Sequence, residues 1–280
     1  MRVIAHLSDL HFGRVDPATL PALQSALIAA SPDVLVVSGD LTQRARRREF
    51  EAARRFLDSL PFPLVVVPGN HDIPLYDVIA RATAPFRAYC SFFANELEPL
   101  FVDQEIAVLG INTARALTFK NGRINMLQVE RSCARLDQCG TAVARVVVTH
   151  HPFDSLATDD GGAVIGRSGM AMTAFARCRV DMILSGHLHV GYAAPSAVHY
   201  SDTGWASLLV QAGTATSTRR RGEMNAFNLI RIDRSQIAVE ILAWAGGVFS
   251  LTATARFQRG SEGWSCEPPD SSQHTMSPPA

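Results

Sequence analysis

Five apolar runs of this chain end in side chains that can hold a proton or a metal ion. VIAHLS leads into Asp9-Leu10-His11, VLVVSG into Asp40, LVVVPG into Asn70-His71-Asp72, RVVVT into His150-His151, and MILSG into His187-Leu188-His189. In an open α/β sheet, ligands bind beyond the carboxyl ends of the strands, so these five ends can converge on one cleft. Asp9 with His11, and His187 with His189, are i, i+2 pairs, which extended backbone turns to the same side. Gly39, Gly69 and Gly186 stand directly before Asp40, Asn70 and His187, where a missing Cβ allows a sharp turn or a close approach. Imidazole, carboxylate and one amide, with no thiolate, suit Mn, Fe or Zn and argue against a thiolate-bound structural zinc. Asp9, His11, Asp40, Asn70, His150, His187 and His189 are too many for one tetrahedral ion and match two ions sharing a carboxylate. A single such residue would be read as a turn former or a core histidine. Five strand ends together are not explained that way.

The elements that must carry these groups follow from the hydrophobic pattern. Short continuous Val, Ile and Leu runs suit strands buried on both faces. Helical segments alternate with them in the first half, which predicts α/β architecture. Asp16-Pro17 reads as an N-cap followed by the first helical position. A helix over 44–60 would bury Phe50, Ala53, Leu57 and Leu60 and stop at Pro61. Asn125 and Gln128 have capping-box spacing. AFNLIRID and QIAVEILAW read as two further strands joined by a turn at Asp233–Ser235. From Gln258 onward the chain is polar and rich in Pro and Ser, which predicts a folded domain over 1–257 and a disordered tail over 258–280.

Composition limits the partners. The 280 residues are 47% hydrophobic with zero net charge, enough for a large core and without a basic field that would draw nucleic acid or membrane. Arg47 and Glu51 are i, i+4, as on a solvated helix face, so the cluster of Arg44, Arg46, Arg47 and Arg48 is not read as a nucleic-acid site. Arg219, Arg220 and Arg221 fall in a loop that could lie near the cleft mouth. Cys90, Cys133, Cys139, Cys178 and Cys266 show no CxxC and form an odd set, which suits free thiols in a reducing compartment. The first twelve residues resemble a strand rather than a signal peptide, and no run reaches the ~18 apolar residues of a membrane span. The expectation is a soluble cytoplasmic protein, compatible with a homo-oligomer.

The order D-x-H, G-D, G-N-H-D, H, G-H-x-H resembles the calcineurin-like metallophosphoesterases. It stands here as Asp9-Leu10-His11, Gly39-Asp40, Gly69-Asn70-His71-Asp72, His150 and Gly186-His187-Leu188-His189. The resemblance implies a four-layer αββα sandwich of two mixed β-sheets flanked by helices. It also implies one ion on Asp9, His11, Asp40 and His189, and a second on Asp40, Asn70, His150 and His187. Asp40 is shared, His71 faces the phosphate as acid or charge stabiliser, and Asp72 orients His71. The implied reaction is in-line hydrolysis of a phosphoester by a water activated between the ions. The Gly39-Asp40-Leu41, Gly69–Asp72 and Asn112-Thr113-Ala114-Arg115 segments resemble the bacterial cyclic-nucleotide phosphodiesterase branch, which implies a small phosphodiester substrate. Retention of His71 speaks against the sugar-lipid pyrophosphatase branch, where arginine is common at that place. A phosphomonoesterase, a pyrophosphatase and a non-catalytic scaffold remain the alternatives. Substrate selection is expected from residues 74–100, 112–125 and 157–168, with His151, Arg115 and Arg123 as the groups that could meet the substrate.

Overall fold

Alternate residues of the predicted strands face two different cores. Val34 and Val36 pack in one cluster with Ile4, Val108, Val146, Leu184 and Ile230, while Leu35 and Val37 pack in another with Leu27, Phe50 and Leu57. That is why the runs are continuously apolar rather than alternating. The structure is a computed structural model and describes residues 1–93, 96–140, 144–154, 164–218 and 223–267. Strands β1 to β6 are Arg2–Leu7, Val34–Val37, Leu64–Val66, Leu100–Val102, Ile106–Gly110 and Ala144–Val148. Strands β7 to β13 are Met182–Ser185, Tyr192–Pro195, Leu208–Gln211, Ala226–Ile232, Gln236–Ala245, Val248–Gly260 and Gly263–Cys266. Helices α1 to α6 are Thr19–Ala30, Arg47–Asp58, Val78–Thr83, Arg87–Phe93, Met126–Gln138 and Ser168–Arg177.

One sheet has the order β13-β12-β11-β10-β1-β2-β3 and the other β4-β5-β6-β7-β9-β8. Both are mixed: β1 is parallel to β2 and antiparallel to β10, and β9 is parallel to β7 and antiparallel to β8. The two sheets bury the first cluster between them. Helices α1, α2 and α4 cover the outer face of one sheet, and α5 and α6 cover the other. The four layers are those the resemblance implied. Among the described residues, no helix is long and apolar enough to cross a membrane.

Local chemistry sets the element ends. Asn125 Oδ1 accepts from Gln128 N (2.9 Å) and Gln128 Oε1 from Asn125 N (3.3 Å), the expected capping box. The expected turn between β10 and β11 closes through Asp233 N donating to Gln236 O at 2.8 Å. Helix α1 starts at Thr19 instead of Pro17, because Asp16 forms a turn ahead of it, accepting from Ala18 N at its side chain and from Thr19 N at its carbonyl. Helix α2 starts at Arg47 instead of Arg44, since the Glu49 carboxylate reaches back to Arg44 N at 2.8 Å and bends the chain there.

Two expectations need correction. The ordered chain does not stop at residue 257: β12 continues to Gly260 and β13 follows, with Trp264 2% exposed and its Nε1 donating to Asp181 Oδ1 at 3.0 Å. One tryptophan in the core outweighs the polar composition around it. Residues 268–280 lie outside the described residues. Nor are all the cysteines free thiols, because Cys133 of α5 and Cys178 after α6 are joined in a disulfide, Cα to Cα 5.7 Å. Their sequence separation of 45 gave no sign that the two helices lie side by side.

His6 on β1 links the fold to pH. It is fully buried, with Nε2 2.9 Å from Ser38 Oγ, and burial pushes its pKa down to about 3. The unfolded chain takes up this proton near 6.5 and the folded chain only near 3, so the unfolded state binds more protons in that window. Stability from this residue is therefore present above pH 6.5 and falls by about 1.4 kcal/mol per unit as pH drops. Urea unfolding of metal-free protein at several pH values should give a slope smaller by about one proton in His6→Asn than in the unsubstituted chain. Equal slopes would show that His6 is not the group responsible.

Candidate metal centre

Asp9 and His11 lie beyond the carboxyl end of β1, Asp40 beyond β2, Asn70 beyond β3, His150 beyond β6, and His187 and His189 beyond β7. The first four come from one sheet and the last three from the other, so the site straddles the edge of the sandwich. The expectation that the i, i+2 pairs sit in extended backbone is not met. Asp9, His11, Asp40, His187 and His189 all have left-handed backbone, with φ of 53, 48, 52, 72 and 62°. The strands end first, and tight turns then aim both members of each pair into the site. Such geometry costs on the order of 1–2 kcal/mol per non-glycine residue. The glycines do what was expected of them. A Cβ on Gly69 would lie 2.1 Å from Asp40 Oδ1, and one on Gly186 1.7 Å from Ser8 Oγ.

Tethers fix which atoms face inward. His150 Nδ1 is 2.8 Å from Ser38 O and so donates to it, leaving the Nε2 lone pair 3.1 Å from Asn70 Oδ1 and 3.4 Å from Asp40 Oδ1. His187 Nδ1 faces the same Nε2 at 3.3 Å. His11 Nε2 lies 3.5 Å from Asp9 Oδ1, 3.8 Å from Asp40 Oδ2 and 3.3 Å from His189 Nε2. Asp9 Oδ2 accepts from Ser8 Oγ (2.6 Å) and His187 N (2.9 Å). Its Oδ1 is buried without a hydrogen-bond donor, 3.1 Å from His189 Nε2. Burial opposes ionisation of Asp9 and Asp40, yet the histidines around them hold both carboxyls below their usual range. Burial first, then His150 and His151, pushes His187 down to about 2, so it is a neutral donor of a lone pair. Lone pairs and carboxylate oxygens that meet without a hydrogen between them fit cations. The sequence-predicted residues form two such groups, Asp9 with His11 and His189, and Asp9 with Asp40 and His150.

His71 stands beside this cluster, its ring 4.9 Å from that of His11. Its backbone N–H donates to Asp40 Oδ1 (2.8 Å), and its Nδ1 lies 2.8 Å from Gln43 O. Asp72 does not orient His71 as expected. It is fully buried and accepts from Leu41 N (3.1 Å), Thr42 N (2.9 Å), Thr42 Oγ1 (2.9 Å) and Gly69 N (2.9 Å). It is thus a brace that ties the loop after β2 to the turn after β3, while the Gln43 carbonyl sets the histidine. Burial, and then the charge of Asp40, push its pKa up to about 6. Asp72→Ala strands three backbone N–H groups and should cost about 3 kcal/mol of unfolding free energy in urea. An orienting role alone would instead lower turnover at unchanged stability.

None of the three groups expected to meet substrate, His151, Arg115 and Arg123, lines the cavity at this cluster. His151 is buried with both nitrogens engaged, Nδ1 2.8 Å from Thr113 Oγ1 and Nε2 3.1 Å from Lys120 O. Although it adjoins His150 and His187 in a third cluster, those bonds make it a loop anchor. Arg115 turns back onto Asn112 O, Ala114 O and Gln128 Oε1. Arg123 is exposed and outside the cavity lining. The cavity at the cluster measures about 210 Å³, and its wall includes Leu75 from the 74–100 stretch and Phe119 and Lys120 from the 112–125 stretch, two of the stretches from which substrate selection was expected, together with Gln43 and Arg44, which the sequence did not place there. A larger groove of about 850 Å³ lies against α5 and α6 and contains none of the strand-end groups. Most of the 157–168 stretch, and Arg219 to Arg221, lie outside the described residues.

Residues 2–191 match the family model described as calcineurin-like phosphoesterase, and the chain belongs to that family. It is 33% identical over 125 residues to the glycerophosphodiester phosphodiesterase GpdQ of Enterobacter lignolyticus, covering 38% of this chain and 44% of that protein. It is 26% identical over 204 residues to a protein of Synechococcus sp. described as a probable cyclic nucleotide phosphodiesterase, covering 68% and 74%. The chain thus spans less than half the length of the first relative and about three quarters of the second. A dimetal phosphatase from Danio rerio superimposes with a TM-score of 0.64 at 11% identity, covering 89% of this chain and 98% of that one, a likeness of fold.

Proposed function

We propose that the protein is a metal-dependent phosphodiesterase acting on a small phosphodiester, with two divalent or iron-type ions (Mn, Fe or Zn) as cofactors. Asp9, His11, Asp40 and His189 would hold one ion, and Asp40, Asn70, His150 and His187 the other. The observation that carries this reading is the donor-free Asp9 Oδ1 set among inward-facing imidazole nitrogens and Asp40. Bound ions would supply charge neutralisation of the phosphate and activation of an attacking water.

The chain's own residues do the rest. The Gln43 carbonyl takes the His71 Nδ1 proton as a hydrogen bond, which leaves Nε2 as the atom that can hand a proton to the leaving oxygen. Asp40 orders the same residue from its backbone side. The small cavity favours a compact ester over an extended phosphopeptide, and two relatives named as phosphodiesterases favour a diester. The test is turnover of bis(p-nitrophenyl) phosphate beside p-nitrophenyl phosphate with each metal. Faster diester hydrolysis is expected. Monoester preference would make it a phosphatase, and no turnover with Mn, Fe or Zn would make it a binding protein with this fold.

A further inference from the structure

Two cations stand on the cavity wall. Arg44 and Lys120 both line the cavity beside Asp40, His71, His187 and His189. Both are exposed, and among the described residues neither forms an ion pair; what distinguishes them from the other unpaired arginines is their place on the cavity wall. Arg44 Nη1 donates instead to the neutral Tyr76 hydroxyl at 2.5 Å, with its guanidinium 5.2 Å from the centre of that ring.

Both cations are carried by loops that the fold holds in place. His151 Nε2–H donates to the Lys120 carbonyl, and Gly122 lies so close to this imidazole that a Cβ there would fall 2.2 Å from it. The buried Arg81 binds Pro74 O (3.0 Å), next to Leu75, and Ala116 O (2.7 Å) and Thr118 O (2.9 Å), ahead of Phe119, and covers the Phe119 ring, so it joins the two loops that carry these wall residues. The backbone that carries Lys120 is thus held before any ligand arrives, which lowers the cost of ordering the loop on binding.

The charge of the wall exceeds what a simple diester needs. Such a diester has one negative charge, and two divalent ions set against Asp9 and Asp40 already leave the centre positive. Resting on the phosphodiesterase reading, we infer that Arg44 and Lys120 form a subsite for a second anionic group on the substrate's organic arm, with Leu75 and Phe119 as the apolar wall for the rest of that arm. The substrate class is a phosphodiester bearing a further phosphate or carboxylate, and His151 is a positioning residue for Lys120.

Two probes that release the same p-nitrophenolate separate the possibilities: thymidine 5′-(p-nitrophenyl phosphate) and its 3′-phosphorylated counterpart. With the Mn-loaded full chain, kcat/KM should favour the 3′-phosphorylated probe by about tenfold, the scale of one charge-assisted contact. Lys120→Met and Arg44→Met should each shrink that preference at least threefold. No preference in the unsubstituted protein, or an equal fall on both probes in the variants, would overturn the subsite. If neither probe turns over, the phosphodiesterase reading itself fails, and a binding measurement decides the subsite. Because Lys120 is the only lysine, acylation mapped by peptide mass reports on it directly. Thymidine 3′,5′-bisphosphate should protect it at about tenfold lower concentration than thymidine 5′-monophosphate. Equal protection would overturn the inference.

Discussion

Asp40→Ala should bind at most one metal ion per chain and lose at least about 10³-fold in hydrolysis of bis(p-nitrophenyl) phosphate. Asp40 is the carboxylate the proposed ions share, with Oδ1 3.4 Å from His150 Nε2 on one side and Oδ2 3.8 Å from His11 Nε2 on the other. An alanine leaves each set of imidazoles without its common anion, and several kcal/mol of transition-state charge stabilisation go with it. The loss should not be one of folding. Asp40→Ala strands the His71 N–H that donates to Oδ1, a loss of about 1 kcal/mol, and at the same time removes the charge that raises the pKa of Asp72. Its melting temperature in EDTA should lie within a few degrees of the unsubstituted protein. Elemental analysis after reconstitution, with the rate on the same sample, checks both parts. Full metal-dependent activity in this variant would remove the assignment.

His71→Ala should keep both ions and lose about 10²–10⁴-fold in kcat, the usual span for general acid catalysis. Asn70, on one side of it, carries the proposed ligand, while the His71 ring is tied to the Gln43 carbonyl, so truncation removes a proton donor without touching the metal set. The dependence on leaving group gives the sharper reading. A p-nitrophenolate leaves easily unprotonated, whereas an alkoxide needs a proton, so the loss should be larger on an alkyl ester than on the p-nitrophenyl ester. An equal loss on both would mean that His71 stabilises charge rather than donating a proton.

The parts of this molecule legible in the sequence are those fixed by short-range pattern or by burial on two faces. Strands β1, β2, β6, β7 and β9 are continuous apolar runs because helices cover one side and the opposite sheet the other. The residues that end four of these runs, with Asn70 after β3, were legible as a set. Their backbone was not: five of them sit in left-handed turns that no spacing rule announces. Strands β4, β8, β12 and β13 were not read from the sequence: LFV, YAAP and GWSC are short, the β12 segment is mostly exposed, and pairing with β5, β9, β11 and β12 is what makes them strands. The role of Asp72 was misread for a related reason. Its donors Leu41 and Thr42 lie about thirty residues away and reach it only when β2 and β3 pair. Arg44 looked like the start of a solvated helix face, and Arg47 with Glu51 does form such a pair. The bend imposed by Glu49 separates Arg44 from that face and turns it toward the cavity.

The claim on which the rest depends is that seven side chains from two sheets hold two ions with Asp40 between them. Anomalous diffraction from crystals grown with manganese tests it most directly. Two peaks about 3.5–4 Å apart are expected, one against Asp9, His11 and His189, the other against Asn70, His150 and His187, both touching Asp40. A single peak, or two peaks with Asp40 bound to neither, would contradict it.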